Sequence, residues 1–460
     1  MSIIVLFLWI SYVYFLWFIW HEIGFNLSLT SVLLILLLIL HGPMYLYYTR
    51  IWGPTTQFFY QILSVAGAEE FFSTMDIAMI FTLVGSCLGV KLADLFSGNS
   101  GRDIRDAIAI WPKMQLDRDY FNRRRFHVVL LVIFLFVLLP FAVYEHQVQN
   151  IIEYIKSNAS EVAKIAFRRD HGGSKIYLYA LLCAGFFPFL AFLGISNFKN
   201  ETVWCKLLIT LFVMFLLLAK MATFSKLPPV LFIIQCIVVI IMCYRLTLSF
   251  RLFSILFILI FGLFIVVTKI AIFAGTGYNI SAIEQALRFL FYRMFMIPNE
   301  SLMEYFSSIP MVIDFSWGSN ISLVTKLLQK APMPATYWLV GAVHRGSMLS
   351  TTNVMFIGDA WATFSWVGVV VFPLIFGALV RTIDRYLLVN RRKTVVTISA
   401  LALGHYGLII AISTALQTAF LTGGLLLIFP LVIFFGRPVR KLICRNYVQH
   451  RSMPPDNSVG

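Results

Sequence analysis

The chain has 460 residues, of which 60% are hydrophobic and only 12% charged, with a formal charge of +15. Soluble domains contain about 45–50% apolar and about 25% charged residues, so this composition excludes a water-soluble globular protein and predicts an all-α polytopic membrane protein. The positive charge is not read as a nucleic-acid footprint, because the basic residues gather in particular loops, as positive-inside topology requires.

The first apolar run, 2–20, is long enough to span a bilayer. The first basic residue is Arg50, so no charged leader precedes the run and it is expected to stay as a helix. Further apolar runs follow at 27–47, 75–95, 127–145, 175–195, 203–220, 229–244, 252–273, 363–381, 394–413 and 418–436. Together they predict about 11 transmembrane helices, within a range of 10–12. The expected division is 1–273 with membrane helices 1–8, a non-membrane segment 274–362, membrane helices 9–11 over 363–436, and a tail 437–460. Residues 48–74 read as an outward loop or an interfacial helix. Loop 91–126 holds eight basic residues, and Arg381, Arg385, Arg391, Arg392 and Lys393 crowd loop 381–393. With the basic tail, these fall on one side, expected to be the cytoplasm; the N-terminus and 274–362 then face outward. The six cysteines form no CxxC pair, so neither a disulfide framework nor a zinc site is indicated. No internal repeat of the kind that marks many secondary transporters is visible.

Segment 274–362 interrupts the membrane-like character and carries most of the candidate chemistry. In Ser281-Ala-Ile-Glu-Gln-Ala-Leu-Arg288-Phe-Leu-Phe-Tyr-Arg293, apolar residues at helical spacing predict an amphipathic helix lying on the outer interface. Arg288 and Arg293 stand about 140° apart round such a helix and are candidates for phosphate oxygens, which guanidinium forks suit. The bland alternative is an ordinary interfacial helix with Arg288 paired to Glu284 four residues earlier. Arg168 and Arg169, on the outward side before the fifth span, are further anion candidates; contact with lipid headgroups explains them equally, as it does Lys164 and Lys175.

The last constellation is Gly341-Ala-Val-His344-Arg345-Gly346-Ser347 followed by Gly358-Asp359-Ala-Trp-Ala-Thr-Phe364-Ser365-Trp-Val-Gly368. A carboxylate close ahead of a membrane span is costly unless it faces water or protein, so Asp359 is a candidate general base. It would otherwise serve as a helix cap. His344 is a second candidate base or a polar loop residue, and Arg345 a further anion contact. No HxxxH or HExxH pair occurs, and no catalytic metal or other cofactor is expected; absence of GxSxG and Walker motifs argues against a serine esterase or P-loop ATPase.

Residues 358–368 resemble the Gly-acidic-small-x-x-Phe-Gly-x-x-Gly run that opens a late helix in the Wzy-type O-antigen (oligosaccharide repeat-unit) polymerases. The chain departs from that pattern at Asp359, usually Glu, and at Ser365, usually Gly, and it sets three residues rather than two between Ala360 and Phe364. The resemblance implies a GT-C-like glycosyltransferase with one long periplasmic loop in a bacterial inner membrane, the C-terminus cytoplasmic and the N-terminus periplasmic. It implies an inverting reaction that polymerises undecaprenyl-diphosphate-linked repeat units, with a chain-length regulator and a flippase as partners. In that scheme Arg293, Arg288, Arg168, Arg169 and Arg345 hold the diphosphate, and Asp359 or His344 is the base. A flippase for lipid-linked sugars and an O-antigen ligase are the alternative readings.

Overall fold

The computed structural model describes residues 3–66, 70–98, 101–118, 121–156, 167, 177–224, 227–243, 258, 262, 280–321, 325, 329, 331, 333–346, 351–413, 419–420 and 423–436. The expected span 252–273 (apart from residues 258 and 262), the tail 437–460, and Lys164, Arg168, Arg169 and Lys175 lie outside these residues.

Among the described residues the protein is helical, with two isolated β-bridges, and eight of its helices are long and apolar enough to cross a membrane. It is an all-α polytopic membrane protein. The helices are α1 (Ile3–Ile23), α2 (Leu29–Thr55), α3 (Gln57–Ala66), α4 (Phe71–Phe96), α5 (Gly101–Ile110), α6 (Arg123–Tyr144), α7 (Gln147–Lys156), α8 (Leu178–Asn200) and α9 (Val203–Met221). There follow α10 (Leu227–Cys243), α11 (Ile280–Phe291), α12 (Ile297–Ser308), α13 (Thr336–Arg345), α14 (Phe356–Val389), α15 (Val395–Ser413) and α16 (Ile428–Phe435). The expected seventh span is the shorter apolar helix α10. Within the expected run 418–436 the regular helix is the eight-residue α16.

Helix α14 packs along α4 through glycine. A Cβ on Gly89 would sit 2.1 Å from the Leu374 carbonyl oxygen, and one on Gly377 would sit 2.3 Å from that of Ser86. The Gly85-Ser-Cys-Leu-Gly89 spacing thus does what small residues do in membrane helix pairs: with no hydrophobic drive between helices in lipid, it lets the backbones approach for dispersion contact.

One end of the bundle is tied by charge. Asp384 accepts hydrogen bonds from the Leu29 and Thr30 amides, both at 2.7 Å, and so caps α2 from another helix. Arg381 holds Asp94 through two bonds of 2.8 and 3.0 Å. Arg392 pairs with Asp117, and Lys393 donates to the Pro112 carbonyl at 2.7 Å. The basic loops around 91–126 and 381–393 therefore meet at one end. The opposite end holds the second half of α2, the start of α14, and α3, α12 and α13. Helix α12 is buried there among them.

Candidate functional site

The chain runs from α11 through a wide π-type turn at Tyr292–Met296 into α12, and Pro298, which has no N–H to give, follows that turn. Spacing of four residues then puts Glu300 and Glu304 on one face, and both are buried. Gly346, at φ +65°, terminates α13 and leaves His344 and Arg345 in its last turn, beside α12.

Glu304 has no exposed side-chain surface; Arg345, one-third exposed, brings a guanidinium nitrogen to 3.2 Å from it. The Thr352 hydroxyl donates to its second oxygen. His344 Nε2 lies 2.8 Å from Ser308 Oγ and 3.2 Å from the Glu304 carbonyl oxygen. Burial lowers the His344 pKa, against the opposing pull of Glu304. Glu300 accepts a 2.7 Å bond from the Tyr292 hydroxyl. Burial pushes its carboxyl up to about 7, with the Glu304 charge adding to the rise and Tyr292 and Arg345 opposing it. Asn299 ties the arrangement to α2, donating to the Leu40 carbonyl at 2.9 Å and meeting His41 Nδ1 at 2.9 Å.

Tyr292 also borders a groove of about 590 Å³ with Tyr47, Trp52, Phe291 and Arg288. The Trp52 and Tyr292 ring centroids are 5.6 Å apart. A single phenol therefore connects an aromatic groove to a buried carboxylate whose proton is exchangeable near neutral pH.

Asp359 lies inside a helix rather than ahead of one, because α14 begins at Phe356. It is buried, and its charge, after burial itself, raises the pKa of Tyr305 on α12. The segment bearing it is fastened to α12 and the following loop: Trp361 stacks on Phe306 and donates to the Ile309 carbonyl at 3.1 Å. The helix breaks at Ser365, whose φ of 54° and ψ of −142° fall outside helical space. Gly368 then comes so close to the earlier turn that a Cβ on it would stand 2.2 Å from the Ala360 carbonyl oxygen. The residue that departs from the polymerase-like pattern thus occupies a conformation suited to glycine.

The structure brings His344, Arg345 and Glu304 together and sets Asp359 across Tyr305 from them. Arg288 does not join them: 80% exposed, it lines the groove beside Tyr292 and pairs with Glu284 at 2.7 Å, the interfacial arrangement its spacing allowed. Arg293 is exposed, its guanidinium 5.3 Å from the Phe289 ring centre. Sequence reasoning missed Glu300 and Glu304. Their signal was two glutamates four apart, directly after Pro298 and amid Leu302, Met303 and Phe306.

The grouping of potential metal ligands among the described residues is at the other end, where His127, Glu201 and Cys205 offer atoms within 4.8 Å of one another. Arg123 already brings its guanidinium to 3.5 Å from Glu201, which sets cationic charge where a metal would sit, and His127 Nε2 lies 2.9 Å from the same carboxylate. Comparison with protein-family models, curated proteins and solved structures finds no match to this chain.

Proposed function

We propose that this chain is a membrane glycosyltransferase that polymerises lipid-diphosphate-linked oligosaccharide units at the membrane face where 280–362 lies, the outer face of a bacterial inner membrane. The observation that carries the reading is the gathering of Glu300, Glu304, His344, Arg345 and Asp359 on α12, α13 and the start of α14. Buried ionisable groups are costly in so apolar a protein; at the basic end they are tied off as caps and pairs between helices, whereas here burial pushes the Glu300 carboxyl up to about 7 beside a partly exposed Arg345, a pattern that favours a working site. The resemblance over 358–368 supplies the reaction class.

In this scheme an acceptor hydroxyl attacks the anomeric carbon of the donor glycan. Its proton passes to a carboxylate, the new glycosidic bond forms, and the anomeric carbon–oxygen bond to the lipid diphosphate breaks. Glu300, reached through the Tyr292 hydroxyl, has the proton affinity that suits a base at neutral pH, and Asp359 is the alternative. Arg345, partly exposed beside them, offers charge to the departing diphosphate.

A flippase would need charged groups lining a path through the spans. Asp76, Asp94, Arg381 and Asp384 do not supply one, since each is fixed: Asp76 to Arg50 and Tyr45, Asp94 to Arg381, and Asp384 to the start of α2; Lys220, buried near the end of α9, is a single charge and makes no path.

The test is deletion of the gene in its host, with surface polysaccharide resolved on a gel. Loss of the ladder with single-unit caps retained is the expected result. An unchanged ladder refutes polymerisation, and loss of single units as well points to a flippase or ligase.

A further inference from the structure

Lys220 lies one residue before the end of α9, 5% exposed, and among the described residues no carboxylate pairs with it. Its Nζ is 5.6 Å from the Phe232 ring centre and 5.4 Å from that of Tyr406. Such cation–π contacts offset only part of the cost of removing an ammonium from water.

The lysine faces a cavity of about 130 Å³ between α7, α8, α9, α10 and α15, which is opened by small side chains such as Ala184 and Ala219. Two more buried polar groups line it, the Tyr179 hydroxyl and Gln147 Oε1; the hydroxyl stands beside the Gln147 and Cys183 side chains, but neither atom completes a well-formed hydrogen bond. Gln147 holds its amide by donating from Nε2 to Glu145 at 3.1 Å, so Oε1 is the atom left to present. Buried groups of this kind normally have partners. Here a cation, a hydroxyl and an amide converge on a single space, the hydroxyl beside the amide and the cation paired with neither.

We propose that this cavity binds the monoanion of a phosphate monoester or of inorganic phosphate. Anionic oxygens meet Lys220 Nζ and the Tyr179 hydroxyl, and the ligand's own P–OH donates to Gln147 Oε1. A carboxylate or a phosphodiester has no such hydrogen to give, and sulfate has none at neutral pH, so the acceptor at Gln147 selects the monoester. The pocket shares no residue with the α12 site and does not depend on the glycosyltransferase reading.

The experiment uses the full chain purified in neutral detergent. Inorganic phosphate and sulfate are titrated calorimetrically at constant ionic strength. In parallel, binding of phosphatidic acid, a monoester, and phosphatidylglycerol, a diester, is measured in nanodiscs of otherwise zwitterionic lipid by native mass spectrometry. Phosphate or phosphatidic acid should bind, and sulfate and phosphatidylglycerol should bind about tenfold more weakly or not at all. A soluble source shows as phosphate saturation, and a lipid source as binding of phosphatidic acid alone. Lys220→Met should weaken binding by about tenfold or more. Tyr179→Phe, which removes one oxygen, tests the same site should the lysine variant fail to fold, and should weaken binding by about threefold or more. Gln147→Leu should abolish the preference for phosphate over sulfate. The proposal is overturned if neither monoester binds, if binding is the same in Lys220→Met and Tyr179→Phe as in the native protein, or if sulfate binds as tightly as phosphate.

Discussion

Replacing Glu300 by Gln should stabilise the protein at alkaline pH while removing its activity. The carboxyl titrates at about 7 against an ordinary value of 4.5. At about 1.4 kcal/mol per pH unit, holding it ionised in the fold costs about 3 kcal/mol. Glu300 is 6% exposed, so solvent screening removes little of this. Below pH 4.5 both folded and unfolded chains carry the proton and nothing is lost. Between 4.5 and 7 the unfolded chain releases its proton while the folded one keeps it, so stability falls as pH rises, and above 7 the loss is complete. Glutamine is neutral throughout, has nearly the same volume, and still accepts the Tyr292 hydroxyl. The variant should therefore exceed the native protein by up to about 3 kcal/mol at pH 8, and by less than about 1 kcal/mol at pH 5. Equilibrium unfolding of both proteins in mixed micelles from pH 5 to pH 8 measures the gap. A gap that does not change with pH, or a variant less stable at pH 8, refutes the account of Glu300 as a strained buried acid. The polysaccharide ladder should be lost in the same variant, and its persistence would move the base to Asp359.

At the joint in α14, Ser365→Gly should be tolerated, and Ser365→Val should lose about 2 kcal/mol, because a β-branched residue resists positive φ; unfolding in micelles separates the two. Asp94→Asn leaves the fully buried Arg381 guanidinium without its counter-charge and should cost about 3–5 kcal/mol. The pair Asp94→Leu with Arg381→Met should recover most of that loss, and a double variant as unstable as the single one would contradict the assignment. Arg288→Ala should change stability by no more than about 0.5 kcal/mol and leave the ladder intact, since its partner is a neighbour on the same exposed helix.

The membrane helices were legible because lipid demands long apolar runs, and those runs are local features of the chain. The meeting of the basic loops was legible through the positive-inside pattern, and the Arg288–Glu284 pair through its spacing. Burial was not. Two glutamates four apart usually mark a solvated face, and only the convergence of α2, α3, α4, α13 and α14 makes Glu300 and Glu304 interior. The early start of α14 was hidden for a related reason. Gly358, Asp359 and Thr363 depress hydropathy without opposing helical backbone, so the apolar run begins later than the helix. Ser365 carried a clue, since it stands where the resembling pattern has glycine, but its backbone angle is a property of the fold.

The break at Ser365 also settles a question of length. Helix α14 has 34 residues, which would rise about 51 Å if straight, far more than the hydrocarbon thickness of about 30 Å. Residues 366–384 alone rise about 28 Å. Where that portion spans the hydrocarbon, the turn bearing Asp359 falls beyond it, at the depth of headgroups and water. No tilt of α14 is required to reconcile its length with the bilayer, so the acidic segment can stay fastened to α12 while the rest of the helix stands upright against α4.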